Sequence, residues 1–388
     1  FLGLALGAGS FAIICSWQFP RSALWFFLIY MPFSGTVTYW LAGGNSLFQL
    51  AKDAFYIPAL ISLYLAVKQS SKEKFLKPSA ILPGLWILLF FSILSLLFVS
   101  IPRQFSEGGL LLFQGLLGMK VFIGYIPLIF LMQFLIRSQR ELWFFNRLHV
   151  VLAIVCSWLC LIQYLFLLTG RCAGTDHLTG SALFTASIQA KCFVGGSLLY
   201  SPSQGVIRLP GTFVAPWQWG WFLIANSYFV FAGAFADPAW QWRIIGFLGM
   251  GSVTLAAVIC GQRIALVLVP VCFLLLMILT GQFVNWKRFI PIAILSVIAG
   301  FIAWELFPNL ILDRIQSFQD RWAASPADAM IADQVDFVWK SMKGSALILG
   351  HGLGSATNSA RMFGETRLIE TWFPKVLFED RKSTRLNS

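Results

Sequence analysis

Stretches of about twenty apolar residues recur along this chain, among them ILPGLWILLFFSILSLLFVS at 81–100 and LHVVLAIVCSWLCLIQYLFLL at 148–168. Each is long enough to cross about 30 Å of hydrocarbon as a helix. Inside lipid, a helix satisfies every backbone N–H and C=O within one segment. The expected fold class is therefore all-α, a polytopic membrane helical bundle. Spans are expected at 1–17, 22–40, 47–67, 81–99, 110–136, 142–168, 213–235, 242–260, 263–282 and 289–307, about ten in all. With 58% hydrophobic and 11% charged residues, the composition lies far from that of a soluble domain.

A net charge of +12 would point to nucleic acid in a soluble protein. Here the basic residues cluster in alternate short loops, the pattern that sets membrane orientation. Lys68, Lys72, Lys74 and Lys77, then Arg137, Arg140 and Arg147, then Lys287 and Arg288 all fall on one side, the cytoplasm. Topology explains most of the charge, so the bilayer is an expected partner and nucleic acid is not. The same alternation assigns 1–307 to a transmembrane domain whose segment at about 169–212 lies outside, and 308–380 to a large, partly helical extracytoplasmic loop. The chain starts at Phe1 within an apolar run and ends in FEDRKSTRLNS, so it reads as a fragment with a truncated loop and a non-native tail at 381–388.

Of the seven cysteines, Cys15, Cys156, Cys160, Cys260 and Cys272 fall in or at the ends of apolar runs, where a small buried hydrophobe is the default reading. Cys172 and Cys192 belong to the first outside segment, and an oxidising compartment there would allow a disulfide, with two free thiols as the alternative. No Cys/His cluster has metal-ligand spacing and no glycine-rich phosphate loop follows a strand, so neither metal nor cofactor is expected.

Two arginines flank outside-facing ends of spans: Arg208 in RLPGTFVAPWQWGWFL and Arg263 in ICGQRIAL. Placing an arginine near hydrocarbon costs about 2.5–3.5 kcal/mol, less at the edge. Interfacial anchoring is the plain reading of each alone. A permanently charged fork that pairs with phosphate oxygens makes a pyrophosphate clamp the sharper reading of the two together. Lys120, about 15 Å into its run, is either a third cation for the same anion or a snorkelling side chain. Trp217, Trp219 and Trp221 read as interfacial anchors or as stacking surfaces for sugars. His149 reads as a packed bundle residue and His177 as an exposed loop residue. His351, between glycines in ILGHGLGSATNSA, is the histidine placed for general-base work. In the same stretch Gly350, Gly352 and Gly354 allow a close backbone approach, with a flexible turn as the plain alternative. Around it, ADAMIADQVDFVWKSMKGS and LIETWFPKVLFED carry helical spacing.

The order KDAFYIPALISLYL, GLLGMKVFIGYIPLIFLMQFL, RLPGTFVAPWQWGWFL, ICGQRIAL and ILGHGLGSATNSA resembles the O-antigen ligase and O-antigen polymerase superfamily of bacterial envelope enzymes, over about Asp53 to Glu379. The resemblance implies ten to twelve helices and a large late outside loop. It also implies transfer of a glycan from an undecaprenyl-pyrophosphate carrier to an acceptor glycan or glycolipid, at the outer face of the bacterial inner membrane. The family's two functional arginines would fall on Arg208 and Arg263. Family ligases place a histidine shortly after the glycine-rich motif; here that place reads IETWFPKVLFE, without one. Glu370 would take the base role, with His351 as its rival, and the departure leans toward a polymerase or a divergent branch.

The expected activity is thus a metal-independent glycosyltransferase, with Arg208, Arg263 and Lys120 on the pyrophosphate and Glu370 or His351 as base. A transporter or flippase of lipid-linked glycans is the alternative, although such proteins use ionisable groups deep in the membrane, and no Asp or Glu lies near the centre of any expected span. A non-catalytic scaffold would need neither arginine.

Overall fold

The computed structural model describes residues 2–44, 51–69, 82–172, 190–201, 206–282, 327–341 and most of 350–379, with isolated positions elsewhere. The expected span at 289–307, apart from Glu305 just inside its end, lies outside the described residues, as do Lys72, Lys74, Lys77, Lys287, Arg288, His177 and Glu370.

The chain is a multi-pass membrane protein built from helices. Among the described residues six are long and apolar enough to cross a bilayer: Pro20–Leu41, Leu82–Glu107, Leu111–Ile129, Gln139–Leu168, Pro216–Ala236 and Trp240–Ile259. A seventh apolar helix, Arg263–Leu279, is shorter. In chain order the elements are α1 (Leu2–Gln18), α2 (Pro20–Leu41), α3 (Ala51–Gln69), α4 (Leu82–Glu107), α5 (Leu111–Ile123), α6 (Ile126–Leu135), α7 (Gln139–Leu168), β1 (Leu199–Ser201), β2 (Val206–Arg208), α8 (Pro216–Ala236), α9 (Trp240–Ile259), α10 (Arg263–Leu279), α11 (Ala327–Ser341) and α12 (Trp372–Glu379). They divide into two units, Phe1–Leu63 with Leu135–Asp320, and Tyr64–Phe134 with Arg321–Ser388.

In the first unit α7, α8, α9 and α10 pack around Val150, Ala153, Cys156, Cys160, Leu223, Val230, Val253 and Ala256. The four cysteines Cys156, Cys160, Cys260 and Cys272 are buried thiols. Small residues let the helices close up: a methyl group on Gly246 would strike the backbone of Ala234, and one on Gly249 would sit 2.8 Å from Val230. Such close backbone approach is how helices associate where lipid is as apolar as leucine.

The start of α7 follows from its sequence. Ser138 caps it by accepting the Glu141 N–H at 3.3 Å, and Glu141 in turn accepts the Arg137 N–H at 2.7 Å and Arg21 at 2.7 Å. The far end closes at Gly170, whose φ of +70° lets the Arg171 N–H reach back to the Phe166 carbonyl at 2.9 Å. The end of α7 that carries its N-terminus also holds Arg147, forked onto Asp237 at 2.8 Å through two nitrogens, with the Asp237 side chain fully buried. Burial pushes the Asp237 carboxyl up, but Arg147 and the Ala239 N–H more than offset it, and the group stays below its ordinary value.

Among the described residues helices dominate, and β1 pairs with β2 in a short antiparallel hairpin that sets Leu199 opposite Arg208. In the second unit α4, α5, α11 and α12 enclose two small cores, Val338, Ala356, Ile369 and Phe378 in one and Phe122, Leu353 and Val376 in the other. The two helices expected on either side of the glycine-rich stretch are present as α11 and α12. Val338 faces inward on α11, whereas Ile331 stays 46% exposed.

Candidate functional site

A heavily hydrogen-bonded feature of the first unit is the turn between β2 and α8, the sequence RLPGTF. Hydrogen bonds from four separate parts of the chain hold it. Gly35 of α2 donates to the Thr212 carbonyl at 3.0 Å, and Gly196 donates to that of Phe213 at 2.9 Å. Gln163 of α7, fully buried, donates through Nε2 to the carbonyls of Cys192 at 2.8 Å and Gly211 at 3.4 Å. Leu209 donates to the Cys260 carbonyl at 3.0 Å. Gly211 sits at φ +56°, and a methyl group there would lie 2.6 Å from the Trp219 ring, so the position requires glycine on both counts.

The two arginines are neighbours through this turn. Arg208 ends β2, and a methyl group on Gly261 would lie 3.5 Å from the Arg208 Cα, with Arg263 two residues further on. Arg263 is the first residue of α10, preceded by Gln262 in extended conformation, and no side chain caps that terminus. A cation at a helix N-terminus opposes the helix dipole, by about 0.3–1 kcal/mol when exposed, whereas an anion bound there would meet both the guanidinium and the positive end of the helix. A methyl group on Gly220 of α8 would lie 3.4 Å from the Gln262 side chain, so the N-termini of α8 and α10 lie side by side. Both arginines are half-buried. Cys172 and Cys192 are joined in a disulfide, S–S 2.03 Å, in the segment that packs on the same turn.

Two of the motif's three tryptophans reach solvent or lipid and one does not. Trp217 and Trp221 are 40% and 55% exposed, but Trp219 is fully buried between Phe213 and Phe222. The expectation that Trp219 anchors at the interface or stacks on sugar is corrected: helical spacing turns every second tryptophan of WQWGW to the opposite face, and Trp219 forms the floor under Gly211. His149 packs as expected, its Nδ1 at 2.9 Å from the Phe145 carbonyl and its ring stacked on Phe229 at 4.3 Å.

Lys120 belongs to the second unit, in the last turn of α5, and is half-buried. His351 also belongs there. Its N–H donates to the Phe378 carbonyl at 2.8 Å, its carbonyl accepts from Arg103 at 3.2 Å, and its ring stacks on Phe378 at 4.3 Å. Burial holds its pKa below the ordinary histidine value against the upward pull of the Ser341 carbonyl, and the Arg103 charge also lowers it. Its Nε2 is buried, which leaves that nitrogen poorly placed to meet a substrate hydroxyl.

The close approach that the glycines permit is made by the chain itself. Gly354, at φ +82°, faces the backbone of Gln114, where a side chain would collide. Into the same loop comes the Glu379 carboxylate, fully buried, accepting the Gly354 N–H at 2.9 Å, the Ala356 N–H at 2.7 Å and the Thr357 hydroxyl at 3.1 Å. Burial raises its pKa; Lys375 and the three donors pull the other way without cancelling that. Gln114 completes the joint, donating to the Glu365 carbonyl at 2.8 Å. Sequence reasoning missed Glu379 and Gln114. Each is a polar side chain in a mostly apolar helix that also carries a lysine, a pattern that many solvated residues share.

Comparison with protein families, with curated proteins and with solved structures of other proteins finds no match for this chain.

Proposed function

We propose that the protein is a membrane glycosyltransferase of the O-antigen ligase and polymerase kind, moving a glycan from undecaprenyl pyrophosphate to an acceptor sugar on the outer face of the bacterial inner membrane. The observation that carries this reading is the convergence of Arg208 and Arg263, far apart in sequence, on adjoining backbone at the start of α10. Two arginines on backbone that adjoins a helix N-terminus suit a leaving pyrophosphate, whose charge grows as the glycosidic bond breaks.

Orientation follows from charge and thiol chemistry. One end of α7 carries Arg137, Arg140, Arg147 and, through Glu141, Arg21; the other carries the disulfide. Basic residues favour the cytoplasm and disulfides persist in oxidising compartments, which supports an extracytoplasmic turn. The full count of ten spans and the loop at 308–380 belong to this same reading. The acceptor proton would go to Glu370 or His351, and the buried Nε2 of His351 favours Glu370.

The test is transfer from an undecaprenyl-pyrophosphate-linked glycan by membranes containing Arg208→Ala or Arg263→Ala chains at matched abundance. Each should lose about 10²–10³-fold, the scale of one lost oxyanion contact. Arg→Lys should recover only part of the activity, because a point charge lacks the fork. Full transfer by both alanine variants overturns the clamp.

A further inference from the structure

A cavity of about 470 Å³ opens in the first unit beside the disulfide, lined by Trp40, Phe166 and Phe193 together with Arg171, Lys191 and Thr36. Its size falls in the range of small-molecule sites, ~300–1,000 Å³, and so does its character, mostly apolar with a few placed polar groups. The two cations are held by aromatic faces: Lys191 Nζ stands 4.7 Å from the Trp40 ring centre and Arg171 Cζ 5.1 Å from that of Phe166. Neither forms an ion pair with a carboxylate among the described residues. Both lie at the end of α7 opposite the Arg137, Arg140 and Arg147 cluster, so the topological role of basic residues does not account for them.

The walls are fixed in advance. Trp40 Nε1 donates to the Gly195 carbonyl at 3.1 Å, and Thr36 Oγ1 donates to that of Val194 at 2.6 Å. The last turn of α2, Val37–Leu41, is π-helical, a distortion frequent at functional sites. Phe193 has φ +51°, an unusual conformation for a bulky residue, of the kind that persists where the surroundings over-determine it. The strand of chain bearing Phe193 then packs directly on the RLPGTF turn.

We propose that this cavity binds an anionic sugar, a pyranose ring bearing a carboxylate or phosphate. Its three chemical elements match the lining: an apolar ring face for the aromatic walls, a negative group for Arg171 and Lys191, and hydroxyls for the Thr36 oxygen and the Val194 carbonyl. The cavity is lined by neither arginine of the pyrophosphate clamp, and its occupancy is measurable without any transfer reaction.

The experiment is equilibrium binding of radiolabelled D-glucuronate to the purified full chain in neutral detergent, with D-glucose, glucose 1-phosphate and inorganic phosphate as competitors. Glucuronate should bind, glucose 1-phosphate should compete, and glucose and inorganic phosphate should each compete at least tenfold less well. Arg171→Gln and Lys191→Gln, which keep much of the stem over the ring, should each weaken glucuronate at least fivefold, as should Trp40→Ala. Retention of the disulfide, read by mobility on a non-reducing gel, certifies the fold of each variant. Glucose competing as well as glucuronate overturns the role of the cations; phosphate competing equally overturns the role of the ring. Binding unchanged in Arg171→Gln and Lys191→Gln overturns the location. Loss of glucuronate binding in nanodiscs containing phosphatidylglycerol, but not in phosphatidylcholine nanodiscs, reassigns the cavity to an anionic lipid headgroup.

Discussion

Replacing Glu379 by alanine tests whether its carboxylate holds the glycine-rich loop in place. The substitution removes the acceptor of two buried amides, Gly354 and Ala356, and of the Thr357 hydroxyl. A buried donor left unsatisfied costs about 1–3 kcal/mol, so two amides alone amount to about 2–6 kcal/mol. Water can enter the space left by a carboxylate in a polar loop, which brings the expected loss to about 3–4 kcal/mol. At 1.4 kcal/mol per factor of ten, local opening rises by about 10²–10³-fold. Hydrogen–deuterium exchange of the full chain in detergent reads this on peptides covering 350–357, where exchange should accelerate by that factor. Glu379→Gln, which keeps the shape and one acceptor oxygen, should fall between wild type and alanine. The pH dependence has a definite sign. Burial raises the folded-state pKa of Glu379 above its unfolded value near 4.3, so its contribution is fully present below that value and is lost as pH rises through the folded one. Relative to Glu379→Gln, the wild-type loop should lose protection as pH rises over that window. Exchange in the alanine variant within threefold of wild type would refute the loop-holding role, and a wild-type advantage that grows with pH would refute the raised pKa.

Gly211→Ala should destabilise by about 2–5 kcal/mol, from a left-handed φ at about 1–2 kcal/mol and overpacking against Trp219 at about 1–3; a thermal-shift assay in detergent showing no change would refute it. Asp237→Asn should cost about 3 kcal/mol, near the lower bound for breaking a buried ion pair because Arg147 keeps 29% exposure. Because Asp237 is held below its ordinary pKa, its contribution is present above about pH 3.9 and should be lost on acidification through the folded value, measurable as a falling melting temperature that Asp237→Asn does not share. Paired Cys172→Ser and Cys192→Ser should lower stability by about 3 kcal/mol, the closure entropy of a loop of this length, in the same assay.

Apolar runs were the most legible feature because the bilayer imposes length and polarity on each segment independently of its neighbours. The spans at 22–40, 142–168, 213–235 and 242–260 therefore correspond to helices within a few residues, and the one at 81–99 to a helix that continues to Glu107. The pairing of Arg208 with the Gly261 backbone was not legible from spacing, because it depends on how α8, α9 and α10 pack. Nor was the hairpin that delivers Arg208, three residues a strand and too short to show alternation. Gly350, Gly352 and Gly354 announced a close approach without naming the visitor. The visitor is the chain's own Gln114 backbone and Glu379 carboxylate, brought there by tertiary contacts that no window of sequence contains.

The RLPGTF turn draws its supports from α2, α7, the disulfide segment, α8 and the end of α9. A ribosome delivers those pieces over most of the length of the first unit, so none of the local helical contacts formed early can build the turn. It becomes possible only after Cys260 has emerged and α9 has inserted, which makes this the slow, non-local stage of assembly. Until then Arg208 and Arg263 have no common position, and an incompletely inserted chain presents no paired cations to an anion at the membrane surface.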